Sequence, residues 1–597
     1  MAEVEEGMVE KKKRKLGGAK TMPFILANEA CDKFAAVGFH ANMITYLTQQ
    51  LHMPLVQASN TLTNFSGTSS LTPIIGALIA DSFAGRFWTI TIGSIIYQLG
   101  MISLTVSAVL PALRPPPCHP GQPCEHATST QLFVLYASLL LTALGSGGIR
   151  PCVVAFGADQ FELGHGPRAA SKRGWNFFNL YYFCMGLAIL TALTLVVYIQ
   201  DDVGWGWGLG LPTIFMGLSV VAFIIGYPLY VQFKPAGSPL TRLAQVVVAA
   251  FRKRKVAAPA DPSKLYENKE LDAPISTTGR LLHTNELKFF DKAAIPTDGD
   301  HPSGDRPNLW RLSTVHRVEE LKSVLRMLPI WSTGVLLAAA SAHNHSFVIQ
   351  QARSMDRHLS PSFTIPPATM SIFTTLSMLL SLALYDRLLL PLTRGRFTYL
   401  HRMWVGLAIS VLATAVAAEY FEVSLVLHQV ETRRRRAAAA AATMSVFWLV
   451  PQYALHGVAE AFMSVGHLEF LYDQAPESMR SSAAALFWMA SSIGNYVSTL
   501  LVTVVHDYTK GRGHDWLQDN INKGRLDCYY RLVTCLQVVN LVYYTVCVRF
   551  YTYKPLETAV EVEKMVVGDG RFVQVDEGDG RSERVVVGGR HNQREGV

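Results

Sequence analysis

Apolar segments long enough to cross a bilayer recur along this 597-residue chain, and nothing else in the sequence restricts its fold so severely. They lie at about 22–50, 60–81, 86–111, 130–155, 175–199 and 208–231. After a polar stretch they resume at about 322–342, 367–390, 400–421, 443–466, 482–506 and 528–551. A spanning helix needs about 20 apolar residues, and hydrocarbon offers no partner to an open backbone N–H or C=O, so each run is predicted to be a helix. The expected fold class is an all-α membrane protein with twelve transmembrane helices in two six-helix halves. Half of the residues are hydrophobic and only 16% are charged, which agrees.

The net charge of +8 does not point to nucleic acid, because the basic residues cluster between the apolar runs, as cytosolic loops require. Lys11 to Lys15 precede the first run as a positive-inside anchor, and the polar start predicts no cleaved leader. With both ends inside, the outer loops of the first half carry no Lys or Arg in 51–59 or 200–207, and only Arg114 in 112–129. Arg433 to Arg436 fall on the predicted outside and conflict with the rule. The expected organisation is a cytosolic tail (1–21), a six-helix half (22–231), a cytosolic connecting loop (232–321), a second half (322–554) and a disordered cytosolic tail (555–597). The loop is read as a solvated linker with a lateral amphipathic helix, its basic clusters suited to anionic lipid. Asp81 to Arg86 recurs as Asp386-Arg387 with Gly395-Arg396 at the corresponding turn. This suggests a parallel duplication, with the substrate site between the halves near the midplane. Most of the eight cysteines fall within helices, whereas Cys118 and Cys124 flank a predicted outer loop where a disulfide is chemically permitted.

Ionisable residues inside spanning helices are costly and mark function or pairing. In the first run Glu29, Asp32 and Lys33 stand three and four apart and share one helix face. They read either as a proton-binding cluster or as an anchor at the headgroups. Arg150 follows Gly145-Ser-Gly-Gly in the fourth run, where small residues admit a neighbouring helix; the alternative is a snorkelling helix end. Glu460 follows His456 by one turn in the tenth run, as part of a pathway or as a buried structural acid. No phosphate loop, H-E-x-x-H helix, metal-spaced Cys pair or G-x-S-x-G elbow occurs, so neither an enzyme nor an ATP-driven pump is expected. No catalytic, metal or cofactor residues are assigned.

Several ordered motifs carry a family resemblance. They are Glu29-x-x-Asp32-Lys33, Asn64-Phe-x-Gly-Thr-Ser69, Ala80-Asp81-x-x-x-Gly85-Arg86, Phe156-Gly-Ala-Asp-Gln-Phe161 and Glu460-Ala-Phe-Met-Ser-Val-Gly-His-Leu-Glu-Phe470. With these the sequence resembles plant nitrate/peptide transporters, within the proton-dependent oligopeptide transporters of the major facilitator superfamily. Gly85 to Thr91, Trp310 to Glu320 and Gln474 to Arg480 look like the third plant subfamily, associated with gibberellin and with nitrite or nitrate. The resemblance implies proton coupling at Glu29, Asp32 and Lys33, and substrate binding by Arg150 in place of a helix-four lysine and by Glu460. It also aligns Ser341, with His343 and His345 nearby, to a histidine that contacts nitrate in a relative, which argues against nitrate as principal substrate. Thr89 corresponds to a regulatory phosphorylation site, so a kinase is an implied partner. The expectation is a proton-coupled symporter of small organic or inorganic anions, gibberellin-type hormone and nitrite or nitrate, with protons as the coupling ion. Its partners are a small-molecule substrate, protons and the lipid bilayer, in the plasma membrane rather than the vacuolar one. An uncoupled facilitator or channel with a sensing role is the alternative.

Overall fold

The computed structural model describes residues 20–554 apart from 118–124, 154–155, 158–159, 161–183, 232–238, 258–260, 262–263, 273–280, 298–299, 301–307, 361–362, 394–396, 436–443 and 477–479. Lys11 to Lys15, the 555–597 tail and the Cys118–Cys124 pair therefore lie outside the described residues.

The first half comprises α1 (Met22–Thr45), α2 (Leu55–Ile79), α3 (Gly85–Val109), α4 (Ser129–Ile149), α5 (Cys184–Val203) and α6 (Trp205–Ile225). The second comprises α7 (Val315–Ser341), α8 (Pro367–Leu389), α9 (Tyr399–Arg435), α10 (Val450–Gln474), α11 (Arg480–Gly511) and α12 (Leu526–Arg549). Among the described residues nine helical runs are long and apolar enough to span a membrane, one of them, Leu55–Val109, holding both α2 and α3. The charge-bearing α1 and α10 complete the twelve. The only strands among the described residues are a short hairpin, His358–Ser360 with Phe363–Thr364, between α7 and α8.

Two helix ends differ from the sequence reading. The polar stretch Val315 to Leu321, expected in the connecting loop, forms the first two turns of α7. Thr314 caps it by accepting from the Arg317 backbone N–H, and the stretch is buried. The 37-residue α9 is about 55 Å long at 1.5 Å per residue, whereas the hydrocarbon core is about 30 Å thick. Its apolar span ends at Val423. Arg433 therefore stands about 15 Å further along the helix than the end of the apolar span, still on the predicted outer side, so the departure from the positive-inside rule remains.

Glycines set how closely the first four helices approach. Gly145, Gly147 and Gly148 of α4 face the backbones of α3 and α2, and a Cβ on Gly148 would meet the Thr89 carbonyl at 2.6 Å and the Gly93 Cα at 3.0 Å. Replacing Gly148 with Val should therefore cost about 1–3 kcal/mol from overpacking. Gly186→Ala, where a Cβ meets nothing within 4 Å, should be near neutral. Thermal unfolding in detergent checks the pair, and equal midpoints would refute the packing argument. At Gly85, φ of +73° lets the chain turn from α2 into α3, a conformation that costs other residues roughly 1–2 kcal/mol.

The apolar core is divided unevenly. One cluster crosses between halves, packing Phe39, Met43 and Leu47 with Phe347, Met370, Phe421 and Tyr453. A second cluster, with Phe87, Phe156 and Phe223, belongs to the first half alone. A third, with Met327, Met403 and Phe470, belongs to the second half alone. Among the described residues the halves are thus fused toward the predicted outer end and separate toward the end from which the connecting segment leaves. A polar seam joins α2 to α11 along much of this contact: Thr63 to Thr499 at 2.6 Å, Asn60 to Thr503 at 2.9 Å, Thr68 to Tyr496 at 2.9 Å and Ser492 to the Gly67 carbonyl at 2.7 Å.

The connecting segment is not simply a solvated linker. Its lateral helix, Pro239–Arg252, buries Val246, Ala249 and Ala250 against Ala293, Ala294, Val315 and Val318. Outside the membrane, burial alone would raise the Asp300 carboxyl. The Lys253 ammonium at 2.8 Å and the Thr297 N–H and hydroxyl more than offset this and hold it below the usual carboxylate range.

Candidate functional site

Helix α1 carries Glu29, Asp32 and Lys33 into the first half, where Glu29 is 2% and Asp32 0% exposed. Lys33 Nζ lies 3.2 Å from Glu29 Oε1 and 3.6 Å from Asp32 Oδ2, while its own side chain remains 27% exposed. The shorter Asp32 thus reaches Lys33 only loosely, and neither of its oxygens has a hydrogen-bond partner among the described residues. The i,i+4 spacing brought Glu29 and Lys33 together as helix geometry requires.

Arg150 closes α4 and swings onto two neighbours. Its Nη1 donates to the Ser69 carbonyl on α2 at 3.4 Å, and its guanidinium lies 5.9 Å from the ring centre of Trp488 on α11, across the seam between halves. Among the described residues it makes no ion pair, and its buried Nε has no acceptor.

Sequence reasoning missed three members of this cluster. Asn28 is fully buried with neither amide atom partnered, Tyr97 on α3 is 1% exposed with an unpartnered hydroxyl, and Trp488 stacks on Arg150. The buried Asn beside Glu29 was visible in the sequence, but Tyr97 and Trp488 lie on distant helices and carry no local signal. Leaving a buried polar group unsatisfied costs about 1–3 kcal/mol, and Asn28, Asp32, Tyr97 and the Arg150 Nε are among the groups so left.

Glu460 is half-buried on α10 without an ion pair or hydrogen bond among the described residues. His456 and His467 stand four and seven residues away on the same face, and His467 packs against Gly334 of α7. The residues at the end of α7 are not joined to this cluster by any described contact. Ser341 donates its hydroxyl to its own helix at Leu337, and His343 is 3% exposed against Tyr529 and Tyr530 of α12. The side chain of His345 lies outside the described set. Thr89 is 6% exposed, with its hydroxyl donated to the Gly85 carbonyl at 2.9 Å. His283 and Asp291 of the connecting segment converge with Glu319 of α7 in a spacing suited to a metal, but Lys322 Nζ already sits 2.7 Å from Asp291 and 2.8 Å from Glu319.

Comparison with known proteins now decides the family. A family model described as "PTR2: POT family" matches residues 87–517. The chain belongs to the POT family. Protein NRT1/PTR FAMILY 3.1 of Arabidopsis thaliana is 58% identical over 566 residues, covering 93% of this chain and 94% of that protein. Protein NRT1/PTR FAMILY 8.3 of the same plant is 43% identical over 539 residues, covering 89% and 91%. Among solved structures, an auto-inhibited POT family peptide transporter superposes with a TM-score of 0.64 at 20% identity, covering 90% of this chain and 99% of that one. A POT family transporter in complex with 5-aminolevulinic acid superposes with a TM-score of 0.59 at 14% identity, covering 90% and 98%. The fold is that of the major facilitator class, as the twelve helices in two halves indicate. As a POT protein the chain is a multi-pass membrane transporter that uses protons and small substrates, and it is not an enzyme.

Proposed function

We propose that this POT transporter is an anion symporter of the plasma membrane, carrying a gibberellin-type carboxylate, nitrite or nitrate inward with protons. The observation that supports the reading is the charge arrangement at the centre. Lys33 is held by two carboxylates, while Arg150 beside it has no carboxylate partner among the described residues. Protonating Glu29 or Asp32 from an acidic exterior weakens the hold on Lys33 and leaves two cations facing one locus. An anion then restores the balance. Deprotonation toward the cytosol returns Lys33 to its carboxylates and releases the anion, so proton and solute move together as the halves rock about the seam. Each net positive charge that enters gains about 2.3 kcal/mol per 100 mV of inside-negative potential, so uptake is driven when protons outnumber anion charges.

The hormone and nitrite assignments rest on the resemblance of Gly85 to Thr91, Trp310 to Glu320 and Gln474 to Arg480 to the third plant subfamily. Labelled gibberellin, nitrite, nitrate and a dipeptide, supplied to expressing oocytes at acidic and neutral external pH, test it. Acid-stimulated uptake of an anion with inward current is expected. Uptake indifferent to pH would identify an uncoupled facilitator, and transport of the dipeptide alone would overturn the anion reading.

A further inference from the structure

Arg114 stood out in the sequence as the sole basic residue in the predicted outer loops before α6, and the structure gives it a defined setting. A cavity of about 1020 Å³ opens at the end of the bundle opposite the connecting segment, lined by Gln49, Gln50, His52, Arg114, His126 and Asp519, among others. Arg114 Nη1 donates to Gln50 Oε1 at 3.2 Å, but its buried Nε has no acceptor, and among the described residues no carboxylate pairs with it. The carboxylate in the named lining, Asp519, makes no ion pair with Arg114; its Oδ1 accepts from the Leu55 backbone N–H at 2.7 Å, and its charge stays in the lining. The two histidines brace the wall, His52 Nδ1 donating to the Glu125 carbonyl at 2.9 Å and His126 Nδ1 to the His52 carbonyl at 3.1 Å. Such bracing holds His52 at a φ of +51°, outside the conformations most residues adopt.

The position of the cavity matters as much as its charge. Thr48 and Gln350 both line it, and Gln350 Nε2 donates to Thr48 Oγ1 at 3.2 Å, a bond between the first and second halves. The cavity thus rests on the closure that must part for solute to enter from outside. A guanidinium with no ion pair among the described residues, in a concave and partly desolvated setting, attracts anions, because field lines are focused there and the cation's own hydration is incomplete.

We propose that this vestibule is a second anion-binding site, at which Arg114 captures a small oxoanion or carboxylate before the outer closure opens. It is separate from the Lys33–Arg150 locus and takes the same ligand chemistry. A unit charge about 10 Å away, at an effective dielectric between 80 and 20, changes the local concentration of a monovalent ion by roughly 2- to 17-fold.

The test reads that field directly and does not rely on transport. In full-length protein reconstituted in lipid nanodiscs, with both faces open to solvent, Gln49→Cys is labelled with an anionic or a cationic methanethiosulfonate reagent, using the unsubstituted protein to subtract background. The anionic reagent is expected to react several-fold faster relative to the cationic one. Arg114→Gln should collapse that ratio by roughly 2-fold or more, Arg114→Lys should preserve it, and excess nitrate should slow the anionic reagent alone. A ratio unchanged by Arg114→Gln, or an anionic rate indifferent to nitrate, overturns the site. Because no uptake is measured, failure here leaves the symport reading standing, and failure of symport leaves this site standing.

Discussion

Glu29→Gln should abolish acid-stimulated uptake while leaving the amount of protein at the cell surface unchanged. The carboxylate lies 3.2 Å from Lys33 and is 2% exposed, so the amide occupies the same space but carries no titratable proton and no charge to hold the ammonium. Lys33 is then permanently loosened, whatever the external pH. One net charge driven by 100 mV supports about 2.3 kcal/mol of accumulation, close to 50-fold, and that is the gradient the variant forfeits. Net flux down an imposed anion gradient is expected to survive, because Arg150 and Lys33 are both present. Arg150→Gln should behave differently, weakening anion binding at every pH by removing a cation that has no carboxylate partner among the described residues. Uptake at several pH values, normalised to surface-labelled protein, separates these outcomes. If Glu29→Gln retains the wild-type pH profile, Glu29 is a structural residue and coupling lies elsewhere.

Lys322→Met should destabilise the protein by about 3–5 kcal/mol, the usual result of stripping one partner from a buried charge cluster. The Lys322 side chain is 0% exposed and its ammonium makes three contacts: Asp291 at 2.7 Å, Glu319 at 2.8 Å and the Thr284 carbonyl at 2.9 Å. Arg326 also binds Glu319, at 3.1 Å, but it has Glu286 to serve as well and cannot neutralise Asp291. Methionine fills the volume, so the loss measures charge rather than a cavity. The consequence extends beyond the loop, since the first turns of α7 are what the connecting segment grips. Arg317 meets Asp272 at 3.6 Å and Arg242 meets Glu320 at 3.7 Å on the same helix start. Thermal unfolding in detergent, with limited proteolysis of the connecting segment, is the measurement. A midpoint within about a degree of wild type would show that the cluster contributes nothing net, and that the segment is held by its apolar contacts alone.

The bilayer made much of this protein legible in one dimension. An apolar run of sufficient length has no folded alternative to a helix in hydrocarbon, so the twelve helices could be read from hydropathy. Helix periodicity alone placed Glu29 and Lys33 on one face, and in the structure they pair. The motifs from Glu29 to Phe470 likewise carried the family. Where polarity served as a proxy for position, the reading slipped. Val315 to Leu321 looked like loop because it is charged, yet its charges are buried against partners drawn from the connecting segment. The length of α9 was likewise underestimated, because its polar last turns continue the helix beyond the apolar span.

Charge pairing was decided only by the tertiary structure. Lys33 and Arg150 are both cations beside polar neighbours, but one is held by two carboxylates and the other rests on a backbone carbonyl and a tryptophan from the opposite half. Tyr97 and Trp488, on other helices, joined the locus for the same reason. Arg114 became a candidate anion site because residues of both halves line its cavity, and the Thr89 hydroxyl is turned onto the Gly85 carbonyl of its own helix. Local sequence determines which residues can lie in a membrane and which face of their own helix they occupy, because those depend on transfer energy and a fixed 3.6-residue period. Which charge meets which across helices far apart in the chain depends on how the helices pack, and no local period encodes it.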